Sequence, residues 1–299
     1  MSGVVFGTVS YLGDDTRFLE QRVKMHSRQV EWIDEIQAKM QAKGAPALPW
    51  WRVEQCWNDE RKELLKSSGD YLESLEYTDR IPLGRARNIL LEKFYNSDYD
   101  WIVMMDDDMG LYDHYDGYEM LWNLAEPRFI ELARQAYILM PFPAYWNGFT
   151  EEVNKFGKSE THWLFLRTIH TCTPFACFPN IKKHRGIEVW FDGETECALP
   201  GEAPEDLKFG IDWIKATGGR WLECRNMIGK SFGNLNYSSI FPDAAARDAR
   251  VATDGPWVAA YLKTLYPRNP NLWTKKDFLK RKNPFIQLQV PRHVYKKED

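Results

Sequence analysis

The sequence predicts an α/β fold: a mixed, mostly parallel sheet with helices on both faces. Three observations predict it. Apolar runs of strand length alternate with stretches of helical periodicity through the first half of the chain. One run, Trp101-Ile102-Val103-Met104-Met105, is apolar at every position, as a central strand buried on both faces requires. It ends abruptly in Asp106-Asp107-Asp108, and ligands of open α/β sheets bind outside the carboxyl ends of strands.

Each element follows from local pattern. Val4–Ser10 is a short apolar, β-branched run and reads as the first strand. From Thr16 to Lys43, Leu19, Val23, Val30, Ile33, Ile36 and Met40 recur at helical spacing until Gly44 and Pro46 stop the run. Trp50–Trp57 reads as a strand, followed by charged helical sequence through about Glu76, then a helix over Leu83–Tyr95. After the aspartates come helices at Gly117–Leu124 and Pro127–Arg134, and a strand at Tyr137–Met140 closed by Pro141 and Pro143. His162–Thr168 and Ile187–Phe191 read as strands. Pro204–Thr217 reads as a helix stopped by Gly218-Gly219, and Trp221–Cys224 as one more strand. There is no internal repeat.

Length and composition set the frame. The chain has 299 residues, 44% hydrophobic and 27% charged, which excludes wholesale disorder. No stretch approaches the ~20 apolar residues that span a bilayer, and the first residues lack a basic segment and a long apolar core. Five scattered cysteines argue for a reducing compartment over a disulfide framework. The expectation is a soluble, cytoplasmic protein with no membrane partner. The net charge of −4 hides an asymmetry: residues 261–299 carry ten Lys/Arg against three Asp/Glu, leaving 29 and 40 in the first 260 residues. A basic end on an acidic body marks either a polyanion-binding edge or a solvated tail.

The aspartate triplet carries the chemistry. Strand alternation turns Asp106 and Asp108 the same way and Asp107 the other. Clustered carboxylates repel unless a cation or several donors stand among them, and such oxygen ligands suit Mg²⁺ or Mn²⁺. A divalent ion there would neutralise a diphosphate leaving group. The plain alternative is an acidic loop or helix cap. Upstream, Arg87 near a helix start suits a phosphate or a carboxylate. Downstream, Ala203-Pro204-Glu205-Asp206-Leu207-Lys208-Phe209 opens a helix; acids after a proline also suit any helix start. A rival metal reading takes His170, Cys172 and Cys177 with His162 and His184 as zinc ligands, without a Cys-x-x-Cys pair.

These segments together resemble GT-A-fold, nucleotide-sugar glycosyltransferases, over roughly residues 3–235. The apolar strand ending in Asp-x-Asp looks like their nucleotide-sugar site, Pro82-Leu83-Gly84-Arg85-Ala86-Arg87-Asn88 resembles the Ala-Arg-Asn segment preceding it, and Glu205-Asp206 resembles their acceptor-side Glu-Asp pair. The resemblance implies a Rossmann-like catalytic domain over 1–235, with a donor half (1–108) and an acceptor half (109–235), and a basic, aromatic extension over 236–299. It implies a nucleotide-diphosphate sugar as donor, UDP-linked first. Asp106 and Asp108 would hold Mn²⁺ or Mg²⁺, Asp107 the ribose, and Arg85 and Arg87 the donor. Thr8, Ser10 and Tyr11 would line the base pocket. Asp206 would be the catalytic base, with Glu205 the alternative. One departure bears on metal dependence: Lys230, in Met227-Ile228-Gly229-Lys230-Ser231, stands where many such enzymes have a histidine ligand. A lysine there would neutralise the diphosphate directly.

The acceptor is read from the tail. Trp273, Lys275, Lys276, Phe278, Lys280, Arg281, Lys282, Phe285, Arg292, Tyr295, Lys296 and Lys297 interleave cations with rings, a pattern suited to nucleic acid. The chain is thereby similar to phage enzymes that glycosylate 5-hydroxymethylcytosine in DNA. Lys275, Lys276, Lys280, Arg281 and Lys282 would be the DNA contacts. Transfer to a glycan or protein, metal-dependent nucleotidyl transfer, and non-catalytic binding of DNA or glycan stand as alternatives.

Overall fold

A computed structural model describes residues 3–11, 19–55, 71–113, 116–142, 159–167, 175–194, 205–232 and 288–296. Strand β1 (Val4–Tyr11) runs into helix α1 (Leu19–Ala42), β2 (Trp50–Gln55) and β3 (Leu72–Thr78). Helix α2 (Leu83–Tyr95) leads into β4 (Trp101–Asp106) and, after a two-residue turn, β5 (Met109–Leu111). A 3₁₀ turn (Gly117–Glu119), α3 (Met120–Asn123) and α4 (Pro127–Arg134) precede β6 (Ile138–Phe142). The remainder is β7 (His162–Arg167), β8 (Phe175–Pro179), α5 (Ile181–Arg185), α6 (Glu205–Thr217), β9 (Trp221–Ser231) and β10 (Leu288–Pro291).

Ten strands among the described residues form one mixed sheet in the order β10-β7-β9-β6-β8-β4-β1-β2-β3, with β5 paired to β9. The parallel run covers β3-β2-β1-β4 and the β6–β9 pair; the other pairings are antiparallel. The α/β class and the mixed sheet are as expected; among the described residues the parallel pairings are concentrated in the first half, and the second half is mainly antiparallel. Alternation along β4 divides the core. Trp101, Val103 and Met105 enter a cluster with Ile33, Ile36 and Met40 of α1, whereas Ile102 and Met104 enter one with Leu90, Leu91 and Phe94 of α2 and Phe209 and Trp213 of α6. Both faces of β4 are therefore dry, which explains its lack of polar residues before Asp106.

Four expectations are corrected. The helical sequence expected through Glu76 is, from Leu72, a strand on the parallel edge beside β2, because backbone pairing outweighs its charged pattern. Ile187–Phe191 is not a strand. Side chains of α2 satisfy its backbone instead: Asn88 Oδ1 accepts from Phe191 N–H, Asn88 Nδ2 donates to Phe191 O, and Tyr95 OH donates to Val189 O. Strand β9 runs on to Ser231, exchanging its partners β6 and β7 for β5. Pro141 lies inside β6 and does not close it. There the register against β9 shifts, so its missing N–H interrupts little.

Residues 288–296 join the sheet at its edge. β10 pairs antiparallel with β7, and Arg292 is clamped over the Trp163 ring (4.2 Å) with Nη2 on Glu119 Oε2 (3.2 Å). His293 N–H donates to Asn123 Oδ1, and Tyr295 OH to Trp122 O. Arg292 and Tyr295, two members of the proposed nucleic-acid pattern, are thus committed to the body of the protein.

Candidate active site

Three parallel strand ends meet at one edge of the sheet. Val9 of β1 is in register with Asp106 of β4, and Ser10 with Glu54 of β2. Helix α2 runs down from this edge before β4 climbs back to it, which puts the first turns of α2 beside Asp106. Helix α6 does the same before β9, whose direction matches that of β6 and β4.

Each carboxylate of the triplet is held by a different element. Asp106 accepts from Arg87 Nη2 of α2 at 2.9 Å. Asp107 accepts from Ser10 Oγ of β1 at 2.8 Å, and Asp108 from Ser231 Oγ of β9 at 3.4 Å. The Phe232 N–H donates to Asp108 O at 2.6 Å. The expected alternation of all three stops at Asp106: Asp107 and Asp108 form the turn between β4 and β5, so their directions come from turn geometry and these partners. Asp108 is pushed up to about 7, first by burial and then by the charges of Asp107 and Asp106. A carboxyl so disposed favours a nearby cation.

The donor set is all oxygen, which fits Mg²⁺ or Mn²⁺. Among the described residues no three metal-ligating side chains converge. The turn therefore suits an ion that takes one or two carboxylates and completes its shell with substrate phosphates and water.

Behind the turn lies a buried polar group that the sequence reading missed. Arg52 Nε donates to Glu54 Oε1 at 2.5 Å, and Arg52 Nη2 lies 2.6 Å from His26 Nδ1. All three are buried. Burial raises the Glu54 pKa against the pull of Arg52, with Asp107 adding to the rise; burial and Arg52 lower His26 to about 3. Two charged residues at i and i+2 in the otherwise apolar run Trp50-Trp51-Arg52-Val53-Glu54 were the available signal. Gln29 of α1 was missed too: its Nε2 donates to Asp106 O (2.6 Å) and Met109 O (2.8 Å). No local pattern marked it.

The remaining expected residues fall in varied places. Arg87 is 1% exposed, beneath the Phe191 ring and against Asp106, so it orients that carboxylate from below. Arg85 is exposed and pairs with Glu194 at 2.6 Å. Thr8 is buried and accepts from the Trp50 indole at 3.0 Å, a full residue pair below the edge. The Tyr11 and Glu205 side chains lie outside the described residues. Lys230 packs its ammonium over Tyr112 and Phe232 at 5.6 and 5.4 Å, on the strand face opposite Ser231.

Asp206 stands in the first turn of α6, partly exposed. One short segment ties that turn to α2: Phe191 stacks on Phe209 at 4.0 Å, Lys208 Nζ reaches Asp192 Oδ2 at 3.2 Å, and Asp192 O abuts Gly84. Lys275, Lys276, Lys280, Arg281 and Lys282 lie outside the described residues, as do His170 and Cys172. The zinc reading fails on the rest. Cys177 lies in β8, three strand spacings (~14 Å) from His162 in β7. His184 sits 3.1 Å from Asp100, at the end of β4 remote from the triplet.

No protein-family model matches the chain, and no curated protein matches it. Solved structures give distant likenesses. S. aureus TarS residues 1–349 in complex with UDP-GlcNAc is 14% identical, with 93% of this chain and 76% of that one covered and a TM-score of 0.45. A mannosyltransferase from Pyrobaculum calidifontis in complex with GDP-Man and Mn²⁺ is 12% identical, covering 88% and 75%, TM-score 0.43. A putative nucleotide-diphospho-sugar transferase from Desulfovibrio desulfuricans is 10% identical, covering 87% and 99%, TM-score 0.38.

Proposed function

We propose that this chain transfers a sugar from a nucleoside-diphosphate sugar, UDP-linked in the first instance, to a hydroxyl acceptor. The observation that carries the reading is the Asp106–Asp108 turn at the carboxyl edge of the sheet, its three carboxylates held by Arg87, Ser10 and Ser231 from three separate elements. Such an arrangement costs charge repulsion and is built to receive positive charge or hydroxyl donors. Asp106 and Asp108 would hold Mn²⁺ or Mg²⁺, which when bound neutralises the charge that develops on the leaving diphosphate. Asp107 would accept from a ribose hydroxyl. Arg87 holds Asp106 in place through Nη2. Lys230 points to the strand face opposite Ser231, so the diphosphate is left to the ion and not to this lysine.

Asp206, across the Phe191–Glu194 segment, would take the proton of the acceptor hydroxyl. As it does so, the acceptor oxygen bonds to the anomeric carbon and the bond from that carbon to the diphosphate oxygen breaks, its electrons leaving on the diphosphate. This single displacement inverts the anomeric centre.

Incubation with Mn²⁺ and single nucleotide sugars, followed by mass analysis for free nucleoside diphosphate, tests the reading. Release from one donor, lost on Asp108→Asn, is expected; no release from any donor overturns it. Adding duplex DNA with cytosine or 5-hydroxymethylcytosine tests the acceptor implied by the basic segment. A sugar gained only on the hydroxymethylated base supports that acceptor. Donor hydrolysis without DNA modification discards it and keeps the transferase, leaving glycan and protein acceptors.

A further inference from the structure

Helix α1 touches the candidate site from behind at three positions of one turn, and none of them carries a residue assigned to the chemistry. His26 meets Arg52. Arg28 Nη1 donates to Phe232 O at 3.0 Å, and the Phe232 N–H holds Asp108 O. Gln29, fully buried, gives one amide nitrogen to two carbonyls, those of Asp106 and Met109. These carbonyls bracket the turn that carries Asp107 and Asp108.

We propose that Gln29 is a positioning residue: it clamps both ends of the Asp106–Met109 turn and thereby sets the affinity of the carboxylates for a divalent ion and diphosphate. The proposal rests on the transferase reading of that turn. Its physical basis is donor counting. A carboxamide has two N–H donors, and both are committed here, 77 and 80 residues away in sequence, while Oε1 has no partner among the described residues. Flipping the amide would set an oxygen against two carbonyl oxygens, so a single orientation survives. β5 pairs with β9 and not back onto β4, so no hairpin ladder braces the two-residue turn between them. The side chain supplies from outside the rigidity that carboxylates need to meet an ion within a few tenths of an ångström.

Helix α1 also contains the control. Gln37 is equally buried and also bridges backbone, donating to Leu48 O (2.5 Å) and accepting from Leu48 N–H (3.0 Å), yet it lies two turns from the site. A merely structural role would make Gln29 and Gln37 equivalent.

The test compares Gln29→Met, Gln29→Asn and Gln37→Met with the unaltered chain. Binding of Mn²⁺ with pyrophosphate, a probe that needs no choice of base or sugar, is followed by the electron paramagnetic resonance of free Mn²⁺. Hydrogen exchange of the 106–111 amides is followed by mass spectrometry. The expected result is at least tenfold weaker Mn²⁺–pyrophosphate binding and faster exchange over 106–111 in both Gln29 variants. In Gln37→Met, affinity is unchanged and exchange quickens only near Leu48. Equal affinity loss in all variants, or none in a folded Gln29 variant, overturns the proposal. If the unaltered chain binds no Mn²⁺–pyrophosphate, the transferase reading fails. Exchange then decides the clamp alone: selective quickening over 106–111 supports it and its absence overturns it. Gln29→Asn, polar and one methylene shorter, covers the case in which Gln29→Met does not fold.

Discussion

Arg87 and Asp106 form a pair with one partner buried and the other 28% exposed at its side chain, so the guanidinium has no water to fall back on. Arg87→Met leaves Asp106 to repel its two neighbours. The expected cost is about 3 kcal/mol of stability, the lower end for breaking a buried pair, with donor turnover lost. Denaturant titration and product release read the two effects separately. Glu223 on β9 makes a second prediction at this scale. Burial pushes it up to about 7 from an ordinary 4.5, with Arg225 nearby pulling down. A raised carboxyl pKa means that the folded chain holds the proton more tightly than the unfolded one. The stability from this group is complete below about pH 4.5 and is lost as pH rises to about 7. The loss is on the order of 3 kcal/mol. Glu223→Gln should flatten that part of the profile, measured as unfolding free energy against pH.

Helix α2 owes its position to glycine. A Cβ on Gly84 would run into the Asp192 carbonyl, a backbone atom that cannot swing aside. The same segment carries Phe191, sandwiched between the Arg87 guanidinium and the Phe209 ring, and Asp192, paired with Lys208. Gly84→Ala should therefore push the 191–194 segment off α2 and disturb both the Arg87 turn and the start of α6. About 2 kcal/mol of destabilisation is expected, with turnover falling further than that predicts. Thermal unfolding and product release under saturating donor check it. At the element scale much was legible: α2 over Leu83–Tyr95 and α4 over Pro127–Arg134 have the predicted bounds, since periodicity and caps are local. The 187–191 segment was not, because its apolar alternation is that of a strand while Phe191 finds its backbone partner in a helix side chain 103 residues earlier.

Across the whole molecule, the C-terminal segment closes the sheet. Arg292 is clamped between Trp163 and Glu119, and Lys43 holds Glu119 from the other side at 2.5 Å. Arg292→Met should cost about 3 kcal/mol and lower Tm by roughly 5–10 °C. A change within error in calorimetry would show the clasp to be dispensable. Arg292, one of the ten Lys/Arg among the last 39 residues, is thus fastened to the core.

By itself the sequence determined the α/β class, the dry central strand and the acidic turn at its carboxyl end, because hydrophobic period and strand length are properties of contiguous residues. Only the tertiary structure decided what holds each aspartate. Arg87 lies 19 residues from Asp106, Ser10 97 from Asp107, Ser231 123 from Asp108 and Gln29 77 from Asp106. These pairings exist because strand order sets β1 beside β4 and carries the end of β9 across to β5, leaving α1 packed over the turn. Strand order arises from the simultaneous burial of two apolar faces, and no window of local sequence contains it.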